Sequence, residues 1–467
     1  MKNEIFVDLA IIGAGTAGLS AFSEASKVSK KIVLIDHGPL GTTCARVGCM
    51  PSKVLLHIAE QFHERHFFKS LGINGSDKLT IDIVSAMQHV RKLRDYFTSG
   101  VIETIKALGD QFISGTAELL EPTVIKVNQK KIIAKKIIIA TGVSQIIPSE
   151  WQSFSSNILT NENFFEQESF SKKIAVIGGG AEGLELAQAL SRLMIDVALF
   201  HSHETIGKLS DPIINQTAID VLKKEFPLFL GSRAVVEKNK NELLVKNRNQ
   251  QFSAEQILVS LGKQSNLKEF NLEKLGIKVN ERGIPDYDKQ TMQINNSAIF
   301  IAGDVDQDKK LLHEAADEGR IAGFNAMRDK PECFIRRTPL MMIFTQPNII
   351  VVGQSYRDMP DHFITGEVDF RKQGRALIMN KNNGKLHVYA NPDDGKLLGA
   401  EMIAPAGEHL GHLLACAIQK NMTVFDLLQL PFYHPTIEEG LRTALRDLAK
   451  QVKTRHMSLE LMRLLDT

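Results

Sequence analysis

The chain has 467 residues, enough for about three domains by the usual length relation. Its 43% hydrophobic and 24% charged content is that of a globular protein with large cores. Lysine and arginine number 56 against 54 aspartate and glutamate, a net +2 that gives no electrostatic case for nucleic acid or a polyanionic surface.

Residues 7–18 run through β-branched residues into Gly13-x-Gly15-x-x-Gly18. A helical pattern follows at 20–29, then a strand at 31–36 that ends in Asp36. Strand, glycine turn, helix, strand and acid are the grammar of a dinucleotide site. The glycines let the backbone approach a pyrophosphate at the helix N-terminus, and the carboxylate accepts ribose hydroxyls. Next comes Gly41-Thr42-Thr43-Cys44-Ala45-Arg46-Val47-Gly48-Cys49-Met50-Pro51-Ser52-Lys53. Two cysteines five apart at a helix start approach each other only if the turn between them is distorted. A helix N-terminus favours the thiolate, as thiol–disulfide exchange requires. Zinc would need four ligands, and no second Cys/His pair accompanies these two.

Helices are expected at 51–67 and 80–108, and a strand at 136–140 that runs into Thr141-Gly142. At 173–183 the opening pattern returns as Gly178-x-Gly180-x-x-Gly183, with a helix at 184–194 and a strand at 196–200. That strand ends in His201-Ser202-His203, with no acid. The two histidines can donate to a 2′-phosphate, or they are plain surface histidines. Strands follow at 256–261, ending in Gly262, and at 297–302, leading to Gly303-Asp304. A helix is expected at 311–327. Beyond Pro331 short strands with Gly turns, such as 375–378 and 384–388, mix with helices at 407–420 and 437–450.

Four cysteines in so long a chain are no secreted disulfide framework, so a reducing, cytoplasmic setting is expected. No stretch is long and apolar enough for a membrane span. Cys333 and Cys416 have no motif around them and are expected to be buried small apolar residues. Lys135-Lys136 and Arg336-Arg337 are read as solvated edges.

The cysteine segment resembles the redox motif of the class I pyridine nucleotide-disulfide oxidoreductases, a family that includes dihydrolipoamide dehydrogenase, glutathione reductase and mercuric reductase. Further segments fall in the family's order, among them 291–304 and Tyr433-His434-Pro435-Thr436-Ile437-Glu438-Glu439. The resemblance implies an α/β fold of two Rossmann-like domains, for FAD and NAD(P), and a C-terminal α+β dimerisation domain. The expected boundaries are 1–148 and 266–332 for the FAD domain, 149–265 for the NAD(P) domain and 333–467 for the interface domain.

It also implies roles. FAD would be held at Gly13, Gly15, Gly18, Asp36, Thr43, Lys53, Thr141, Gly142, Gly303 and Asp304, and the nicotinamide at Gly178, Gly180, Gly183, His201 and Gly262. Cys49 would be the thiolate against the flavin and Cys44 the thiol that exchanges with substrate. His434, oriented by Glu439, would be the acid/base, reaching the other subunit of a homodimer, with a helix-capping histidine as the other reading. Lys53 and Glu185 would pair beside the flavin, or form a merely structural salt bridge.

The activity implied is that of a dihydrolipoamide dehydrogenase-like enzyme, whose substrate is a small dithiol/disulfide or a lipoyl domain. A reductase of another low-molecular-weight disulfide is the nearest rival, and a non-catalytic redox sensor the rival of another class. The motif departs from the family at Thr42 and at Ala45-Arg46. Ala181 leaves no aromatic gate over the nicotinamide, and the choice between NAD and NADP stays open. Residues 446–467 lack the thiol pair of mercuric reductase and the large thioredoxin reductases, and Cys44 argues against a transhydrogenase.

Overall fold

The computed structural model describes residues 4–239, 242–248 and 250–453, so the last fourteen residues of the expected interface domain lie outside the described residues. The first sheet centres on Glu4–Ile12, which pairs in parallel with Ile32–Asp36 and with Lys130–Ile139. Ile299–Ile301 joins in parallel on the far side of Lys130–Ile139, so a strand from late in the chain completes a sheet begun at its start. The second sheet is wholly parallel: Leu228–Phe229, Asp196–Phe200, Lys173–Ile177, Gln256–Val259 and Ile158–Leu159, in that order. Ile174 to Ile177 are all buried, as expected of a parallel strand covered on both faces. A two-stranded ribbon, Val143–Gln145 with Lys263–Ser265, lies where the chain passes between these sheets.

The third sheet is antiparallel, in the order Leu340–Ile343, Asn348–Gly353, Leu397–Ala404, Lys385–Ala390 and Ile364–Asp369. Helices Gly407–Gln419 and Glu438–Ala449 bury Leu410, Leu414, Leu441 and Leu445 in the same core as its strands. Two doubly wound units, the first with an antiparallel extension at one edge (Ala117–Glu121 and Val124–Val127), and an α+β unit are the fold class that the sequence implies.

The helices after the two glycine turns begin earlier than expected, at Thr16–Ala25 and Ala181–Arg192. The third glycine of each motif therefore lies inside its helix. A Cβ there would stand 1.8 Å from the Gly13 carbonyl at Gly18, and 1.9 Å from the Gly178 carbonyl at Gly183. Glycine is thus a packing requirement rather than a helix breaker.

Three expectations are corrected. Residues 374–378 form a short helix, Gly374–Ile378, capped by the Gln373 side chain, which accepts the Ala376 N–H. Its apolar run reads as a strand, but Leu377 and Ile378 face solvent. Cys333 and Cys416 are exposed: Cys416 lies off the helix face formed by Leu410, Leu414 and Ala417, and Cys333 precedes Phe334, which takes the core position against Phe324. Arg336 is no solvated edge, because its guanidinium bonds the buried carboxylates of Glu314 (2.6 Å) and Glu318 (2.8 Å).

Candidate active site

The two cysteines stand on either side of a break in a helix. Cys44 lies in the short helix Thr43–Val47, whose cap Thr42 accepts the Ala45 N–H, and Cys49 opens the helix Cys49–His63. Gly48 joins them at φ −126°, ψ −117°. A Cβ on Gly48 would come within 3.0 Å of the Thr43 carbonyl and 3.1 Å of the Cys44 Cα, so the close approach uses the space that glycine leaves. This is the distorted turn that the cysteine spacing demands. Both cysteines are free thiols, close enough for each to shift the other's acidity.

Their acidities diverge. The Cys49 thiol is pulled down to about 7, first by the hydrogen bond from Cys44, against burial, with further help from the Lys53 ammonium. The Cys44 thiol is pushed up, first by the same hydrogen bond and then by burial. Of the two thiols, Cys49 beside the Lys53 ammonium is thus the more acidic.

Cys49 opens on a cavity of about 400 Å³ lined also by Lys53, Ala181, Glu185, Met342 and Phe344. Lys53 Nζ lies 2.8 and 3.0 Å from the two oxygens of Glu185, which is 4% exposed. The Phe344 N–H also donates to Glu185, at 2.8 Å, so the carboxylate is held from two domains. Lys53, a little over one helical turn from Cys49, thus presents a fixed positive charge to the cavity. Met342, Phe344 and His412 line this site without being foreseen, because they come from the C-terminal third of the chain and carry no motif.

The glycine turns repeat in detail. Gly13 at φ +108° and Gly178 at φ +125° would each place a Cβ within 2.3 Å of a carbonyl, on Ala140 and Ser260. Gly15, Gly180, Gly142 and Gly262 face open space. The open glycines and helix N-termini form cradles that suit a pyrophosphate. Asp36 accepts the N–H groups of Ala14 and Gly38, both at 2.6 Å, which holds its carboxylate beside the first cradle. Thr141 Oγ1 is buried with no hydrogen-bond partner, and burial pushes the Asp304 carboxyl up. A ligand rich in hydroxyls that lies between Thr141 and Asp304 would satisfy both. These residues fit FAD at the first cradle and a nicotinamide dinucleotide at the second. Thr43 is exposed at the first turn of the Cys44 helix, and Gly303 donates its N–H to Glu318 at 2.8 Å.

His434 stands apart. Its Nδ1 lies 3.0 Å from both oxygens of Glu439, whose carboxyl that hydrogen bond holds below its usual range. The His434 side chain is 80% exposed and does not line the cavity at Cys49 of its own chain. The structure thus brings together Cys44, Cys49, Lys53 and Glu185, and pairs His434 with Glu439 elsewhere.

The family model described as pyridine nucleotide-disulphide oxidoreductase matches residues 7–319, and that of the family's dimerisation domain matches 340–445. The chain belongs to the pyridine nucleotide-disulphide oxidoreductase family. Among curated members it is 30% identical to a dihydrolipoyl dehydrogenase of Thermus scotoductus, over 95% of this chain and 98% of that one. A mercuric reductase of Staphylococcus aureus is 28% identical, over 95% of this chain and 83% of that one. The crystal structure of LpdA from Mycobacterium tuberculosis shares the fold, with a TM-score of 0.83 at 23% identity over 95% of this chain and all of the other. As a member of this oxidoreductase family, the protein is an enzyme: a flavoprotein disulfide oxidoreductase that uses FAD and NAD(P).

Proposed function

We propose that this oxidoreductase is a homodimeric, cytoplasmic enzyme that oxidises a dithiol of the dihydrolipoamide kind and reduces NAD(P)⁺. The observation that carries the reading is the Cys44–Cys49 pair, brought together across the break at Gly48 and opening on the cavity that also holds the Lys53–Glu185 pair. The domain boundaries at 148, 265 and 332 are part of it, supported by the three largest of the sheets.

Starting from the Cys44–Cys49 disulfide, one substrate thiolate attacks Cys44 Sγ and releases Cys49 as thiolate. The second substrate thiol then attacks the mixed disulfide. The substrate leaves as a disulfide, and Cys44 leaves as a thiolate that takes up a proton. His434 accepts the proton of each attacking substrate thiol and returns one to Cys44, while Glu439 fixes its ring. FAD, when bound, relays the electron pair between the cysteines and the nicotinamide. Lys53, anchored by Glu185, supports negative charge at the cavity wall. The balance is dithiol plus NAD(P)⁺ to disulfide plus NAD(P)H plus H⁺.

Steady-state assays with dihydrolipoamide and with glutathione disulfide, each with both nicotinamides, test the substrate. Turnover of dihydrolipoamide is expected, and none with either nucleotide would overturn the reading. Because His434 is exposed and away from its own Cys49 cavity, it would serve the partner's site. Cys44→Ser and His434→Gln homodimers should each lose dithiol turnover, by about 10²-fold or more for the histidine. Co-expressed mixed dimers should regain activity at the one site that keeps both groups. Mixed dimers as dead as their parents would rule out the shared site.

A further inference from the structure

The two glycine turns can be superimposed by strand register. In the first sheet Ile12 lies beside Ile35, and the Gly13 N–H donates to the Ile35 carbonyl at 2.8 Å. In the second, Ile177 lies beside Phe200, and the Gly178 N–H donates to the Phe200 carbonyl at 2.8 Å. The next residue outward is Asp36 in one unit and His201 in the other. His201 therefore occupies the position of the ribose-binding carboxylate.

Its surroundings are built for an imidazole. The ring packs on Gly179, where a Cβ would stand 2.7 Å from His201 Cδ2, whereas the first turn has Ala14 at this place. The Gly207 N–H donates to the Gly179 carbonyl at 2.9 Å, folding the loop after the strand back onto the turn. That loop brings the His203 ring edge-on to His201, with centroids 5.2 Å apart.

Resting on the assignment of this second turn to the nicotinamide nucleotide, we propose that His201, supported by His203, makes it a 2′-phosphate site. Protonation of His201 then tunes preference toward NADP(H) as pH falls. Imidazole N–H groups offer donors to a phosphate, which a carboxylate would repel. In the free protein burial, and then His203, hold His201 below its ordinary range, so it is neutral near pH 7. The other charged groups nearby are Glu204, whose carboxylate packs on Gly231, and Lys208, both on the same loop, and the exposed Arg233 on the neighbouring segment, whose Gly231 N–H donates to the His203 carbonyl at 3.2 Å. The turn's own Gly178–Gly180 has none, and Glu182 on the following helix is paired with Lys263 at 3.4 Å. A bound phosphate favours the imidazolium, so binding takes up protons. Affinity for the 2′-phosphorylated nucleotide thus rises as pH falls through the interval between the bound and free values. Protonation of the phosphate itself, near pH 6, limits the gain at the acid end.

The test uses purified holoenzyme and calorimetry, with adenosine 2′,5′-bisphosphate and AMP as probes. The bisphosphate should bind more tightly than AMP, with proton uptake near pH 7 that AMP lacks. Its advantage over AMP should grow by up to about tenfold per pH unit within that interval, the limit for one linked proton. His201→Gln should abolish the uptake and flatten the pH dependence, and His201→Asp should bring the bisphosphate below AMP. Equal binding of the two probes by the wild-type protein, or a pH slope unchanged in His201→Gln, overturns the proposal. Should the variant fail to fold, the wild-type comparison of probes and buffers still decides. The outcome is independent of the dithiol substrate: an enzyme inert toward dihydrolipoamide but showing this nucleotide linkage would sink the function proposed above and keep this inference.

Discussion

Lys53 shows how a single side chain serves two neighbours. Its ammonium is pinned by Glu185 and lowers the Cys49 thiol, a contribution that burial opposes. Lys53→Met should therefore raise the Cys49 pKa above its value of about 7, by on the order of one unit, since an opposite charge at this range favours the charged form. The thiolate ultraviolet absorbance of the reduced protein, titrated across neutral pH, checks this. An unmoved midpoint would mean that the hydrogen bond from Cys44 alone sets it. The variant should also leave Glu185 buried without its cation, so a lower melting temperature is expected alongside.

Among the elements, the contact between helices Thr16–Ala25 and Leu312–Ala326 holds the first glycine turn against the last strand of its sheet. The two backbones nearly touch. A Cβ on Gly319 would lie 2.1 Å from the Ala17 carbonyl, and one on Gly323 would lie 2.4 Å from that of Ala21. Four-residue spacing on both helices puts these small residues on facing stripes. Gly319→Ala should push the helices apart at a cost of about 1–3 kcal/mol, the usual range for overpacking. Its measure is a lower melting temperature and easier loss of flavin on dilution. Wild-type behaviour in both would show that the contact yields without strain. The glycines of the two nucleotide turns are visible as spaced motifs, whereas Gly319 and Gly323 carry no motif within the helix expected at 311–327. Their reason lies in a partner about 300 residues away.

Across the whole molecule, the junction between the second and third sheets is a buried polar network. Asp211 caps the helix Pro212–Leu222 through the N–H groups of Ile213 and Ile214. Its other oxygen meets His387 Nδ1 at 2.7 Å and the Tyr389 hydroxyl at 2.9 Å. His387 Nε2 lies 2.9 Å from Glu367, which also binds Lys385, and Glu401 accepts the N–H groups of Ser210 and Asp211. Burial works against the charge on His387, but its bonds to Asp211 and Glu367 outweigh it and raise its pKa. A raised folded value means that its stabilisation is complete below the unfolded value of about 6.5 and is lost as pH rises through the folded one. Asp211 and Glu367 are held low, so their share is lost only as pH falls through the acid range. Melting temperature should decline from pH 6 toward pH 9 in the wild type. His387→Gln should be flatter, and less stable at pH 6 by on the order of 3 kcal/mol. Parallel curves for the two proteins would show that His387 does not drive the decline.

Sequence alone determined what depends on neighbours along the chain. Each glycine turn, the cysteine pair and the acid or histidine closing a strand are set by covalent spacing and local backbone geometry, so their chemistry is legible in a few residues. The tertiary structure decided what depends on packing between distant segments. It tied a half-buried Arg336 to two buried carboxylates and turned Cys416 outward. It seated Glu185 under the Phe344 amide and left His434 away from the cysteines of its own chain. A motif carries its local conformation with it, but burial and partnership arise only when elements far apart in sequence meet and exclude water from between them.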